Sequence, residues 1–296
     1  MKNVKKLGLT ALAGSLVAFS ANAVEWSATV SPELTYTSNS GTTKGAVDGN
    51  NWGFEKGMSL SASGEVMGYS VSLSTALSDA YSYSTSALTF DLGDMGKICF
   101  DDGSGCGGIG SLENKGNVSA YEEADHNMTD MHLIDVNGAV NAITYTSPAG
   151  MLIDGLDFSI EYLPNIGAQS RTNAGATSGA GSTASEWNTA INYTVAGIEG
   201  LKIYAGYASE SSSGTRDDDT EMTIGAEYAL GPIKVGYQHS EVEDATAAGT
   251  EVTAMGINFA VNDDLTVSIS QTENTKNALA ATASSSSEAT GFSAAY

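Results

Sequence analysis

The sequence predicts an all-β protein, a transmembrane antiparallel β-barrel, and three observations carry that expectation. Apolar residues recur at every second position in many stretches, where a helix would need a repeat of 3.6. The joins between these stretches alternate between short and long. After residue 23 no run approaches the ~18 consecutive apolar residues of a helical span, so the closed barrel is the one spanning solution left. Its strands carry a weaker signal of ~10 alternating residues.

The first 23 residues read as an export leader. Lys2, Lys5 and Lys6 give a positive start, Leu7 to Ser20 is uncharged and mostly apolar, and Ala21-Asn22-Ala23 is a small-x-small cleavage site. Residues 24–296 then form the barrel domain. Its strands are expected near 24–37, 51–63, 67–77, 83–91, 95–100, 139–146 and 155–163. The second half adds 186–196, 199–209, 220–230, 232–240, 250–260, 264–272 and 288–296. In 157–163, Phe158, Ile160 and Tyr162 share one face, with Asp157, Ser159 and Glu161 on the other. Met222, Ile224, Ala226 and Tyr228 oppose Thr223, Gly225 and Glu227 in the same way. Leu265, Val267 and Ile269 alternate with Thr266, Ser268 and Ser270. Gly197 to Gly200, Gly231-Pro232 and Asn262 to Asp264 are short joins; 38–50, 164–185, 210–219, 240–249 and 273–287 are long ones. Short turns on one rim and long loops on the other suit an outer-membrane barrel.

Composition narrows the function. There are 12 Lys and Arg against 35 Asp and Glu, a net charge of −23. Without the leader's three lysines the remaining 273 residues carry −26. That excludes a nucleic-acid partner, which needs a basic face for phosphates. Two cysteines cannot staple a disulfide scaffold. No nucleophile–base pattern points to an enzyme, and no cofactor is expected. His126 and His132 lack metal-ligand spacing. Asp101-Asp102 and Asp217 to Asp219 are acidic enough to take Ca²⁺, although no EF-hand spacing accompanies them.

The third long join, from about Asp101 to Gly138, stands apart because loops of nearly 40 residues are usually functional. It carries Asp101, Asp102, Glu113, Glu122, Glu123, Asp125 and Asp130 against a single lysine, Lys115, with a helix-compatible stretch near Val118 to Ala124. Cys99 and Cys106 flank its start; in an exported chain nearby cysteines usually pair, here at the base of the loop, two reduced thiols being the alternative.

Three segments give a resemblance. They are Val24-Glu25-Trp26-Ser27 after the leader, Leu88 to Asp94 before the long join, and Ala142 to Pro148 followed by Leu156 to Tyr162 after it. The chain resembles a Gram-negative general porin of the alphaproteobacterial type. The resemblance implies a homotrimer of 16-stranded barrels in the outer membrane, with the third loop folded inward to narrow the pore. Fourteen strands are recognisable here, so the last hairpin is expected to be missing from the sequence; the alternative is a true C-terminus at Tyr296, which shares one strand face with Thr290, Phe292 and Ala294. Such porins oppose an acidic third loop with a basic wall. Lys97, Lys202 and Lys234 are the wall candidates here, since Arg171 and Arg216 fall in loops.

The expected function is passive diffusion of small hydrophilic solutes and ions through a water-filled channel embedded in outer-membrane lipid. The acidic third loop would make the channel cation-preferring. An exported surface or adhesive protein, or a substrate-specific channel, is the alternative.

Overall fold

The computed structural model describes residues 25–36, 52–77, 83–102, 106–113, 115–119, 140–164, 185–211, 219–243, 249–276 and 285–295. Fourteen strands lie among them. The first seven are β1 (Glu25–Tyr36), β2 (Trp52–Val66), β3 (Tyr69–Leu77), β4 (Tyr83–Asp91), β5 (Lys97–Asp102), β6 (Val140–Thr146) and β7 (Leu156–Leu163). The rest are β8 (Ser185–Thr194), β9 (Leu201–Ser211), β10 (Thr220–Leu230), β11 (Ile233–Glu243), β12 (Thr250–Ala260), β13 (Thr266–Lys276) and β14 (Ser285–Ala295). Each pairs antiparallel with the next in chain order, giving one sheet with β1 and β14 at its edges.

The two faces invert the usual rule. One face bears Ile143, Ile160, Ile191, Ile203, Ile224, Tyr237, Ile257 and Ile269, all substantially exposed. The opposite face bears Thr144, Ser159, Asn188, Thr223, Gln238 and Thr272, all buried. Apolar residues on the convex face belong against hydrocarbon, and polar ones line the interior. Aromatic side chains share the outer face; Tyr162 and Trp187 pack with ring centroids 4.4 Å apart near the long-loop rim.

Turn chemistry sets the short rim. Met67 and Gly68 both adopt positive φ, 54° and 84°, the geometry of a tight two-residue hairpin between β2 and β3. At the other rim several strands outrun the apolar pattern. β11 continues to Glu243 and β13 to Lys276, beyond the last apolar residue of their outward faces.

Candidate functional site

The site is built where the third loop meets the inner wall. A disulfide joins Cys99 of β5 to Cys106, seven residues on. From there residues 106–113 and 115–119 lie along the inner face. The Gly108 N–H donates to Ser159 Oγ of β7 at 2.9 Å, and the Ile109 N–H donates to Asn188 Oδ1 of β8 at 3.0 Å. A short 3₁₀ turn, Ile109–Leu112, buries both of its apolar side chains completely. They join Ala190, Tyr204, Ala208, Val252 and Ala254 in a small apolar cluster between loop and wall. Beyond it the Gly116 N–H donates to Gln238 Oε1 of β11 at 3.0 Å, and Ser119 Oγ bonds Ser293 Oγ of β14 at 2.9 Å.

The wall is shaped to receive this segment. Gly206 of β9, Gly236 of β11 and Gly256 of β12 all face inward. A Cβ on Gly206 would stand 2.6 Å from Ile109 and 2.9 Å from Leu112. One on Gly236 would meet the Gly116 carbonyl oxygen at 2.6 Å, and one on Gly256 would collide with the Asn117 carbonyl. Real Cβ atoms do not approach so closely, so three strands leave side chains out to form a trough, for apolar loop side chains at Gly206 and for loop backbone at Gly236 and Gly256. At Gly225 of β10 the space is taken by the Tyr204 ring. The Tyr204 hydroxyl donates toward Gln238 Oε1 (3.2 Å) and the Tyr237 carbonyl (3.3 Å), pinning the ring flat against the wall.

Two charged groups of opposite character flank the loop. Toward the long-loop rim, Glu161 and Glu186 are buried and share one donor group: Asn188 Nδ2 donates to Glu161 Oε1 at 3.0 Å and to Glu186 Oε1 at 2.9 Å. Thr144 Oγ1 also donates to Glu161, at 2.7 Å. Toward the short-turn rim, Lys115 reaches from the loop to Asn192 Oδ1 of β8, 2.6 Å away, with its Nζ 5.4 Å from the Tyr204 ring centroid. Its half-burial holds the amine below the ordinary lysine range; Lys202 and Lys234 nearby push the same way, against Glu227 and Asp157.

The residues singled out from sequence distribute as follows. Lys97, Lys202 and Lys234 project from the inner face of β5, β9 and β11. Lys97 pairs with Asp91 at 3.3 Å and Lys234 with Glu227 at 2.6 Å. Asp101 and Asp102, assigned to the third loop from sequence, belong instead to β5. Asp101 pairs with Ala87 and Ala142 in the ladder, and Asp102 with Ser86 and Val140. Strand pairing on both sides overrides the low β-propensity of two aspartates. Glu113 is exposed on the loop just after the 3₁₀ turn, and Val118 and Ser119 are not helical. Glu122, Glu123, Asp125 and Asp130 lie outside the described residues, as do Asp217 and Asp218 of the acidic loop. Among the described residues, no group of three or more His, Cys, Asp or Glu is placed to hold a metal ion.

Sequence reasoning passed over the trough glycines, Asn188 and Lys115's contacts. Glycine within a strand is a signal of close backbone approach, but its partner lies 90 or more residues away here.

Residues 8–296 match the family model for Gram-negative porins. The chain is a Gram-negative porin. Solved porins share its fold. Outer-membrane-expressed OmpT of Vibrio cholerae superposes with a TM-score of 0.60 at 12% identity, covering 92% of this chain and 81% of that one. OmpF of Salmonella typhi, solved with daunomycin, gives 0.56 at 14% identity, covering 88% and 82%. A porin refined at 1.8 Å resolution gives 0.55 at 16% identity, covering 91% and 94%. No curated protein matches the chain in sequence. The porin is an outer-membrane protein that forms a non-enzymatic channel for passive diffusion.

Proposed function

We propose that this porin is a general, cation-preferring channel for small hydrophilic solutes, assembled as a homotrimer after cleavage of residues 1–23. The observation that carries the reading is the start of the third loop, residues 106–113 and 115–119, bonded to the polar inner wall; in this reading the loop narrows the lumen. Transport then needs no covalent step and no energy source; solutes move down their gradients, and selectivity follows pore width and lining charge.

The sign of that charge supports cations. Glu65, Asp91, Asp157, Glu186, Glu221 and Glu227 face inward, against Lys97, Lys202 and Lys234. The −26 carried by residues 24–296 adds a field of the same sign, screened beyond ~10 Å in 0.1 M salt.

Reversal potential in a planar bilayer under a KCl gradient tests the selectivity: potassium preference is expected, and chloride preference overturns it. Absence of discrete conductance steps overturns the channel itself. An unheated detergent gel and light scattering test the trimer, and the mass of the mature protein tests the cleavage site.

A further inference from the structure

We infer that the start of the third loop is held at two points of unequal strength: an anchor at Ile109–Leu112 and a strained latch at residues 116–118, which leaves the wall on its own while the anchor stays seated. Each release puts loop backbone into the lumen and lowers the current part-way. That effect on current rests on the channel reading; the unequal docking does not.

The latch carries two costs that the anchor lacks. Val118 is buried and holds φ at 39°. Among the described residues Met67 is the other non-glycine at positive φ, and it sits in a two-residue hairpin turn that requires this geometry. Val118 is β-branched and lies outside any such turn, so its backbone is held against its own preference. Beside it the Asn117 side chain is buried, and its Oδ1 has no hydrogen-bond partner among the described residues. A buried carbonyl oxygen without a donor has given up its water for nothing. Both costs disappear on release, when Val118 relaxes to negative φ and Asn117 meets water. What opposes release is the seat itself. The Gly116 carbonyl and the Val118 side chain fill the notches at Gly236 and Gly256, the Gly116 N–H bonds Gln238, and Ser119 bonds Ser293.

The wall loses little when the latch goes. Gln238 Oε1 keeps the Tyr204 hydroxyl at 3.2 Å, and Gln238 Nε2 keeps Thr223 Oγ1 at 3.0 Å. Undocking the anchor is different. It would take the Ile109 N–H from Asn188 Oδ1, which is buried beside Glu161 and Glu186, and uncover two apolar side chains at once. The Cys99–Cys106 bridge adds to the contrast. It ends close to Ile109 in the chain and further from Gly116, so it restrains the anchor more than the latch. Lys115, tied to Asn192 between the two points, stays with the wall when only the latch opens. Local opening of this kind draws on the least stable contacts of a fold, and residues 116–118 hold them here.

Hydrogen exchange of the folded protein in detergent, read residue by residue by mass spectrometry, tests the unequal docking. The wild-type Gly116 amide should exchange about tenfold faster, or more, than the Gly108 and Ile109 amides. Asn117→Leu replaces the unpartnered amide with an apolar group of similar shape; it should slow Gly116 exchange about tenfold and leave Ile109 unchanged. Gly256→Ala sets a Cβ against the Asn117 carbonyl; it should speed Gly116 exchange and again leave Ile109 unchanged. In planar-bilayer recordings the wild type should show brief partial closures, rarer in Asn117→Leu and more frequent in Gly256→Ala. Equal exchange at Gly116 and Ile109 in the wild type overturns the latch and leaves the channel standing. So does a Gly116 rate unchanged in both variants, or one that moves only together with Ile109. Unequal exchange in a wild type that conducts nothing overturns the channel reading and leaves the unequal docking in place.

Discussion

Truncating Ile109 and Leu112 together to alanine should release the third loop from the wall. Both side chains are fully buried against Gly206 and the small cluster around Tyr204. Buried Leu→Ala and Ile→Ala changes each remove about 2–5 kcal/mol. The two residues share one pocket, so their losses do not simply add, and a combined loss of about 4 kcal/mol is a conservative figure. At 1.4 kcal/mol per decade, that shifts the balance of docked to undocked loop by nearly three orders of magnitude. The cystine and the bonds to Ser159, Asn188 and Gln238 remain, so the strands should form normally. Single-channel recording is the direct assay: larger mean conductance with added open-channel noise is expected. Limited proteolysis of the folded protein should cut between 106 and 119 in the variant while sparing the wild type. Wild-type conductance, noise and protease resistance together would refute the reasoning that side-chain burial holds this loop.

Other outcomes follow from the same geometry. Gly256→Val should crowd the Asn117 carbonyl and lift the loop into the lumen, lowering single-channel conductance. Asn188→Asp removes two N–H donors and sets a third carboxylate beside Glu161 and Glu186; a stability loss of at least about 2 kcal/mol should appear as a lower midpoint in chemical denaturation. Opening the Cys99–Cys106 loop with reductant should lower stability by about 2.5 kcal/mol on the chain-entropy account, read as a fall in melting temperature. Burial, with the nearby Lys202 and Lys234, disfavours the charged Lys115 amine despite Glu227 and Asp157 and holds it below 10.5, the ordinary lysine value. The sign for stability is the reverse of a salt-bridged lysine's. Docking this amine is penalised while it is charged, so the loop should bind the wall more firmly as pH rises through the lowered value toward 10.5.

Much of the fold was legible because lipid on one side and water on the other force a strict period of two. The expected spans 83–91, 220–230 and 250–260 coincide with β4, β10 and β12. Boundaries drifted where that contrast fades. β11 and β13 extend three and four residues past the expected ends, through Glu241 to Glu243 and Glu273 to Lys276, where the outward face turns polar and the apolar-out alternation stops. The site was less legible. Asp101 and Asp102 read as loop because paired aspartates are poor strand formers, yet neighbours on both sides hold them in β5. Lys115 read as a minor exception in an acidic loop; its meaning depends on Asn192, Tyr204, Lys202 and Lys234, all at least 77 residues away. Gly206, Gly236 and Gly256 look like weak points in their strands until the loop side chains and backbone that fill them are in view.

The loop's contacts also order events during biogenesis. Its hydrogen bonds reach residues 51, 79, 122 and 174 positions further along the chain. Contacts of such separation form late, since each requires closing a long stretch of polypeptide. The loop therefore docks in sequence: its attachment to β7 and β8 can precede its attachment to β11, and its tie to β14 comes last of the four. Until then Ile109 and Leu112 lack their wall and remain uncovered, a greasy hook inside an otherwise polar segment. A periplasmic holdase that shields apolar stretches would find there a marker of incomplete assembly, erased when the loop docks on its wall.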